Sequence, residues 1–165
     1  MLTRMRIAYR KRLQWVVGGL IVLLILMILF LGLIEVHWVG GTDLTVEFVT
    51  IDADTGQPIA GSTIKINSEG GFYKESEPRD FELTTGGDGT AQYQCLNSMC
   101  FGTSGMFTNT FVVHLPWWNY TVSAPGYQLS ERIYLDTSET ARQVKRTGPG
   151  VSKVVVPIPL HQAVP

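Results

Sequence analysis

Charge, histidine and cysteine are all scarce in this chain of 165 residues: Lys, Arg, Asp and Glu make up 16% of it, beside three histidines and two cysteines. Each scarcity excludes something. His37, His114 and His161 are far apart, and no H-E-x-x-H occurs, so no metal centre is expected. A G-x-S-x-G elbow and a phosphate-cradling glycine loop are missing too, so neither a serine hydrolase nor a bound cofactor is expected. Cys95 and Cys100, four residues apart in between, fit neither a C-x-x-C redox pair nor a zinc pair. Asp52-x-Asp54-x-Gly56 opens like a calcium loop. However, Gly56, Gln57 and Thr63 stand where a ligand, a glycine and a glutamate would be required. An Asp-rich turn is the better reading, because Asp side chains bond their own following backbone.

Charge is missing altogether from 13–34, LQWVVGGLIVLLILMILFLGLI, where Gln14 is the one polar side chain. At 1.5 Å per residue the run reaches roughly 33 Å, enough for a hydrocarbon core of about 30 Å. It is therefore expected to be a single transmembrane helix. Arg4, Arg6, Arg10, Lys11 and Arg12 precede it with no acid among them, which predicts a cytoplasmic basic tail over 1–12. Trp15 and Trp38 fall where interfacial aromatic rings would anchor the two ends. A cleaved signal peptide is the competing reading, but the run is long for one and no small-residue cleavage site follows it. The expected localisation is the plasma (inner) membrane, single-pass, with the C-terminal domain periplasmic or extracellular. A short linker over 35–42 would hold that domain near the lipid bilayer.

Beyond the apolar run the composition changes. Five of the 13 basic residues precede it, leaving eight against all 14 acidic ones, about −6 for the remainder. That balance argues against nucleic acid as a partner. Residues 43–160 then read as strands and turns. Leu44, Val46 and Phe48 alternate with polar neighbours, as do Ile64 and Ile66, Phe81 and Leu83, Ala91 to Cys95, Phe111 to Leu115, Trp118 to Val122, Tyr127 to Leu135, and Val154 to Leu160. Pro157 and Pro159 mark the last as an edge strand or one whose missing donors face solvent. The polar stretch 136–150 reads as a loop. The expectation is an all-β domain, a seven- to eight-stranded antiparallel Greek-key β-sandwich with a tail at 161–165.

Thr55-Gly56-Gln57-Pro58-Ile59-Ala60-Gly61-Ser62-Thr63-Ile64 resembles the opening of carboxypeptidase regulatory-like domains, which are transthyretin-like (prealbumin-like) sandwiches. Tyr120-Thr121-Val122-Ser123-Ala124-Pro125-Gly126-Tyr127 is similar to their later hairpin. Thr85-Gly86-Gly87-Asp88-Gly89 stands near an expected T-x-x-D/N-G turn. The resemblance covers roughly 44–135 and implies an accessory, non-catalytic role. The related hydroxyisourate hydrolases carry a C-terminal tetrapeptide ending in Gly-Ser, whereas this chain ends His161-Gln162-Ala163-Val164-Pro165.

A few residues remain as candidates. In an oxidising compartment Cys95 and Cys100 would form a disulfide pinning Leu96 to Met99, the alternative being two buried thiols. Trp118 should fill the core. Its neighbour Trp117 would then face away, either exposed for stacking and docking or capping one end of the sandwich. Asn119-Tyr120-Thr121 is formally a glycosylation sequon in a core strand. The chain is thus expected to be no enzyme but a membrane-anchored structural or interaction subunit docking to other membrane protein subunits. An envelope carbohydrate- or ligand-binding module, with polysaccharide as partner, is the alternative. Trp117 and Trp38 are the candidate interaction residues.

Overall fold

A computed structural model describes residues 2–32, 34–68 and 80–163. The polar excursion expected through Glu75, Glu77, Pro78 and Arg79 lies outside the described residues. The chain divides into two compact units, Met1–Trp38 with Gly102–Thr110, and Val39–Phe101 with Phe111–Pro165.

The first unit holds helix α1 (Leu2–Gly32). Its run of Leu, Ile, Val and Met has no polar face, and every residue from Gln14 to Phe30 is exposed. Among the described residues no helix is long and apolar enough to cross a membrane. The expected transmembrane helix over 13–34, and the single-pass localisation drawn from it, are corrected accordingly. The helix begins at Leu2, so Arg4, Arg6, Arg10, Lys11 and Arg12 stand within it, their side chains outside the described residues.

The same unit contains a polar ribbon. Glu35 Oε1 accepts from Thr108 Oγ1 at 2.8 Å, His37 Nδ1 meets Thr103 Oγ1 at 3.1 Å, and Trp38 Nε1 donates to Ser104 Oγ at 3.2 Å. The ribbon turns where the Gly105 amide donates to the Thr108 carbonyl, leaving Met106 and Phe107 exposed. The expected linker 35–42 is therefore strand from Val36 onward.

The second unit is built from strands. In chain order the elements are β1 (Val36–Asp52), β2 (Thr63–Ser68), β3 (Asp80–Thr84), β4 (Thr90–Ser104), β5 (Asn109–Val113), β6 (Trp118–Ser123), β7 (Ile133–Tyr134), α2 (Ser138–Gln143), β8 (Lys145–Gly148) and β9 (Val151–Leu160). They pair as a five-stranded sheet, β5-β4-β1-β9-β8, and a four-stranded sheet, β3-β2-β6-β7. The β-rich expectation agrees with this, but the all-antiparallel pattern does not. β1 and β9 run parallel, in register from Asp43 opposite Val151 to Asp52 opposite Leu160. β9 is also not an edge strand, since β8 lies on its other side. β8 pairs only with Val151 to Lys153, so Pro157 and Pro159 fall where no strand on that side asks for a donor.

The period-2 pattern explains the core. Leu44, Val46 and Phe48 of β1 point inward with Val154, Val156 and Ile158 of β9, while Ile64 and Ile66 of β2 and Trp118, Tyr120 and Val122 of β6 do so from the second sheet. Aromatic rings join the sheets. Phe48 meets Tyr120 edge-on at 5.1 Å and Tyr93 meets Trp118 edge-on at 5.2 Å, while Phe81 packs edge-on against Trp118 within the second sheet at 5.3 Å. Each fully buried side chain of this size contributes about 1.5–3 kcal/mol. The expected strand from Tyr127 to Leu135 shrinks to Ile133–Tyr134, and Leu129 is exposed.

One end of this unit is tied by turns. Gly89 adopts φ +73°, and a Cβ there would lie 2.8 Å from both the Thr50 carbonyl oxygen and Pro58 Cβ. Thr85 Oγ1 donates to the Ile59 carbonyl and accepts from the Ser62 amide, both at 2.9 Å. The stretches 55–64 and 85–89, separate in sequence, are thus one hydrogen-bonded knot. Asp52 anchors the adjoining turn as an Asp-rich turn should. Its Oδ1 accepts from the Asp54 and Thr55 amides, and its Oδ2 from Tyr127 Oη at 2.9 Å and Gln162 Nε2 at 3.0 Å. The Gln162, Thr55 and Tyr127 hydrogen bonds hold this carboxyl well below the usual carboxylate range. Gln162 therefore does not belong to a loose tail.

Candidate ligand-binding surface

The cysteines are not bridged to each other; both are buried thiols. The expected loop between them is continuous strand in β4. Five residues of strand carry Cys95 and Cys100 roughly 16 Å apart, and a disulfide needs Cα atoms within about 7 Å. They share an inward face because the alternation slips by one residue at Asn97, which has φ +53° and leaves Leu96 and Asn97 both exposed.

Trp38 is not a bare interfacial ring. It packs on Gly102, where a Cβ would come within 2.6 Å of the indole. Trp15 is 83% exposed on α1. Asn119, the sequon residue, is buried in β6 and donates to Asn67 Oδ1 at 3.3 Å.

Trp117 and Trp118 part as the alternation requires. Trp118 is 1% exposed and Trp117 is 40% exposed. The Trp117 ring leans on His114, 6.2 Å between centroids, and His114 Nδ1 donates to the Leu115 carbonyl at 3.0 Å. These rings line a groove of about 180 Å³ with Phe101, Val112, Asp136 and Ala141.

The stretch expected to be a loop, 136–150, contains α2 and β8. Thr137 caps α2, its Oγ1 accepting from the Thr140 amide at 3.2 Å, and Glu139 stands in the first turn where the helix dipole favours an acid. α2 buries none of its own residues. Between α2, β8 and β9 lies a groove of about 400 Å³ lined by Arg142, Gln143, Lys145, Thr147, Lys153 and Val155. Three of its six lining residues are cations and none is an acid. Lys145 and Lys153 are directly opposed across the antiparallel pair, an arrangement that costs stability. Lys153 Nζ is 2.9 Å from Glu47 Oε2, which also accepts from Gln92. Glu47 thus balances Lys153 from outside the groove lining.

The outer face of the four-stranded sheet makes a contrast. A groove of about 340 Å³ there contains Lys65, Arg132, Asp80 and Glu82, so its charges balance. Lys65 and Glu82 pair at 3.3 Å, both largely exposed, and Asn67 donates to Asp80 at 2.5 Å. Among the described residues no group of three or more His, Cys, Asp or Glu side chains is placed to hold a metal ion.

Sequence reasoning passed over the basic groove, although a signal for it exists. Arg142, Lys145, Arg146 and Lys153 are half of the eight basic residues beyond the apolar run, and no acid occurs after Glu139.

The second unit is a protein domain of two β-sheets with a basic surface groove. No family model and no curated protein matches the sequence. Among solved structures the chain is similar to hydroxyquinol 1,2-dioxygenase from Pseudomonas putida DLL-E4, at 14% identity and a TM-score of 0.48, covering 74% of this chain and 57% of that one. It is similar to 3-chlorocatechol 1,2-dioxygenase from Rhodococcus opacus 1CP at 13% identity and 0.46, covering 74% and 61%. The dioxygenase domain of a dioxygenase carbohydrate-binding protein fusion from Streptomyces sp. SirexAA-E matches at 17% identity and 0.47, covering 74% and 82%. The chain thus spans less than two thirds of the first two proteins.

The activities in those names belong to those proteins. All three are named as dioxygenases, and none of the names is that of a carboxypeptidase regulatory-like or transthyretin-like domain. The expectations that rested on an accessory family are corrected on this finding. They are the non-catalytic docking subunit, its envelope carbohydrate-binding alternative, and the statement that the chain is no enzyme.

Proposed function

We propose that the strand-built unit binds a small anionic ligand, bearing carboxylate or phosphate groups, in the groove between α2, β8 and β9. The observation that carries this reading is the direct opposition of Lys145 and Lys153, with Arg142 facing the same groove and no acid in its lining. Like charges opposed across a strand pair repel; Glu47 offsets part of this at Lys153, and an anion in the groove would offset the rest. Thr147 and Gln143 add a hydroxyl and an amide, which supply directional hydrogen bonds. A groove of about 400 Å³ suits a single small ligand.

Isothermal titration of the full-length chain with inorganic phosphate tests this, with mild detergent present because α1 exposes apolar surface. Lys145→Ala and Arg142→Ala are each expected to weaken binding about fivefold, and raising ionic strength should weaken it further. Lys65→Ala, on the other sheet, should leave it unchanged. Absence of binding, or binding indifferent to Lys145, Arg142 and salt, would overturn the reading.

A further inference from the structure

The aromatic groove shares no lining residue with the basic one and carries the opposite charge. Its lining includes the Trp117 and His114 rings, Phe101, Val112 and Leu115, with Asp136 as its one carboxylate and no Lys or Arg. Local pairing puts the acid beside the indole. β6 and β7 pair Asn119 with Tyr134 and Tyr120 with Ile133, and one step further the Leu135 amide donates to the Trp118 carbonyl at 2.9 Å. Trp118 and Leu135 are both 1% exposed, so they point into the core, and their chain neighbours Trp117 and Asp136 emerge from it side by side. The Trp118 amide also closes a tight turn on the Pro116 carbonyl at 2.8 Å, with Trp117 at its apex. The indole is thereby held against His114, whose ring stands 6.2 Å away and tilted by 42°. Asp136 is exposed, and among the described residues nothing donates a hydrogen bond to its carboxylate or pairs with it.

We infer that this groove is a second binding site, for the quaternary ammonium head of a small molecule. The side-chain chemistry selects that head. Aromatic faces attract cations, Trp most strongly, and Asp136 adds a full negative charge at the same place. A primary ammonium or a guanidinium brings three or five N–H donors that need acceptors, and the lining offers a single carboxylate to receive them. A trimethylammonium head has no N–H to satisfy, and its methyl groups suit the walls made by Val112, Leu115 and Phe101. At about 180 Å³ the groove is smaller than the roughly 300 Å³ at which sites for whole drug-sized ligands begin, so it suits a head group.

Calorimetric titration of the full-length chain in a mild non-ionic detergent tests this with choline and its neutral isostere, in which carbon replaces the nitrogen. Choline is expected to bind about tenfold tighter than the isostere. Trp117→Ala should weaken choline about tenfold, and Asp136→Asn about threefold. Lys145→Ala should leave choline binding unchanged, which separates this site from the basic groove. Circular dichroism checks that each variant folds. Should Trp117→Ala not fold, Trp117→Leu removes the ring while keeping apolar bulk and is expected to show the same loss. The inference is overturned if choline does not bind, if the isostere binds as tightly, or if removing the Trp117 ring or the Asp136 charge leaves choline binding unchanged.

Discussion

Two regions of the strand-built unit use similar polar residues to opposite ends. At the turn-tied end Thr50, Asp52, Ser62 and Thr85 are buried, and each spends its side chain on a neighbouring backbone group. Beside α2 the polar residues Arg142, Gln143, Lys145 and Thr147 are exposed, and two lysines oppose each other in register. A buried polar group left without a partner costs about 1–3 kcal/mol, so the first region tolerates little change. The second gives up local stability by holding cations together, and what it retains is a field directed outward. Polarity turned inward builds the fold, and polarity turned outward is available to a ligand.

That contrast should show in stability measurements. The largest effect is expected for Gly89→Ala. The residue has φ +73°, and its new Cβ would press on two backbone atoms, Thr50 O and Ile59 N, as well as Pro58. Left-handed strain and the clash together should cost roughly 3 kcal/mol by urea denaturation. A change below about 1 kcal/mol would mean the knot yields more than its geometry indicates. Thr85→Val keeps the shape but strands the Ser62 amide and takes one of three hydroxyl donors from the Ile59 carbonyl, and about 2 kcal/mol should be lost.

Asp52→Asn comes next and adds a dependence on pH. The native carboxyl has its pKa depressed, so its contribution is fully present above the unfolded value near 4 and drains away as pH falls below it. Thermal melts should show the wild type more stable than Asp52→Asn at pH 7, with the gap closing on acidification towards pH 2. A gap that stays constant would remove the charge from this account. At the alkaline end, burial pushes Tyr120 up to about 12, so the wild type should lose stability as pH rises from about 10 to 12. The smallest effect belongs to the other region. Lys145→Ala should change stability by no more than about 0.5 kcal/mol, with any shift upward as the Lys153 repulsion is relieved. A substantial loss there would erase the distinction between the two regions.

Much of this protein follows from the order of its residues. Alternation placed Leu44, Val46, Phe48, Trp118, Tyr120 and Val122 inside, because a strand turns successive side chains to opposite faces whatever it pairs with. The same rule separated Trp117 from Trp118, and Asp52-x-Asp54-x-Gly56 became a turn held by its own first carboxylate. These are local matters, decided within a few residues.

Other features needed partners distant in sequence. The parallel β1–β9 ladder joins residues over 100 positions apart, and nothing within either strand declares its neighbour's direction. Cys95 and Cys100 look like a closable loop until the strand that carries them, β4, is seen to run on through both. The stretch holding α2 reads as a loop, because six residues are too few to declare a helix without the sheet beside them. The basic groove was half legible, as four cations after the last acid. That Lys145 would oppose Lys153, with Arg142 lining the same groove, was decided by tertiary structure alone, because a site is a meeting of side chains and the meeting is made by the fold.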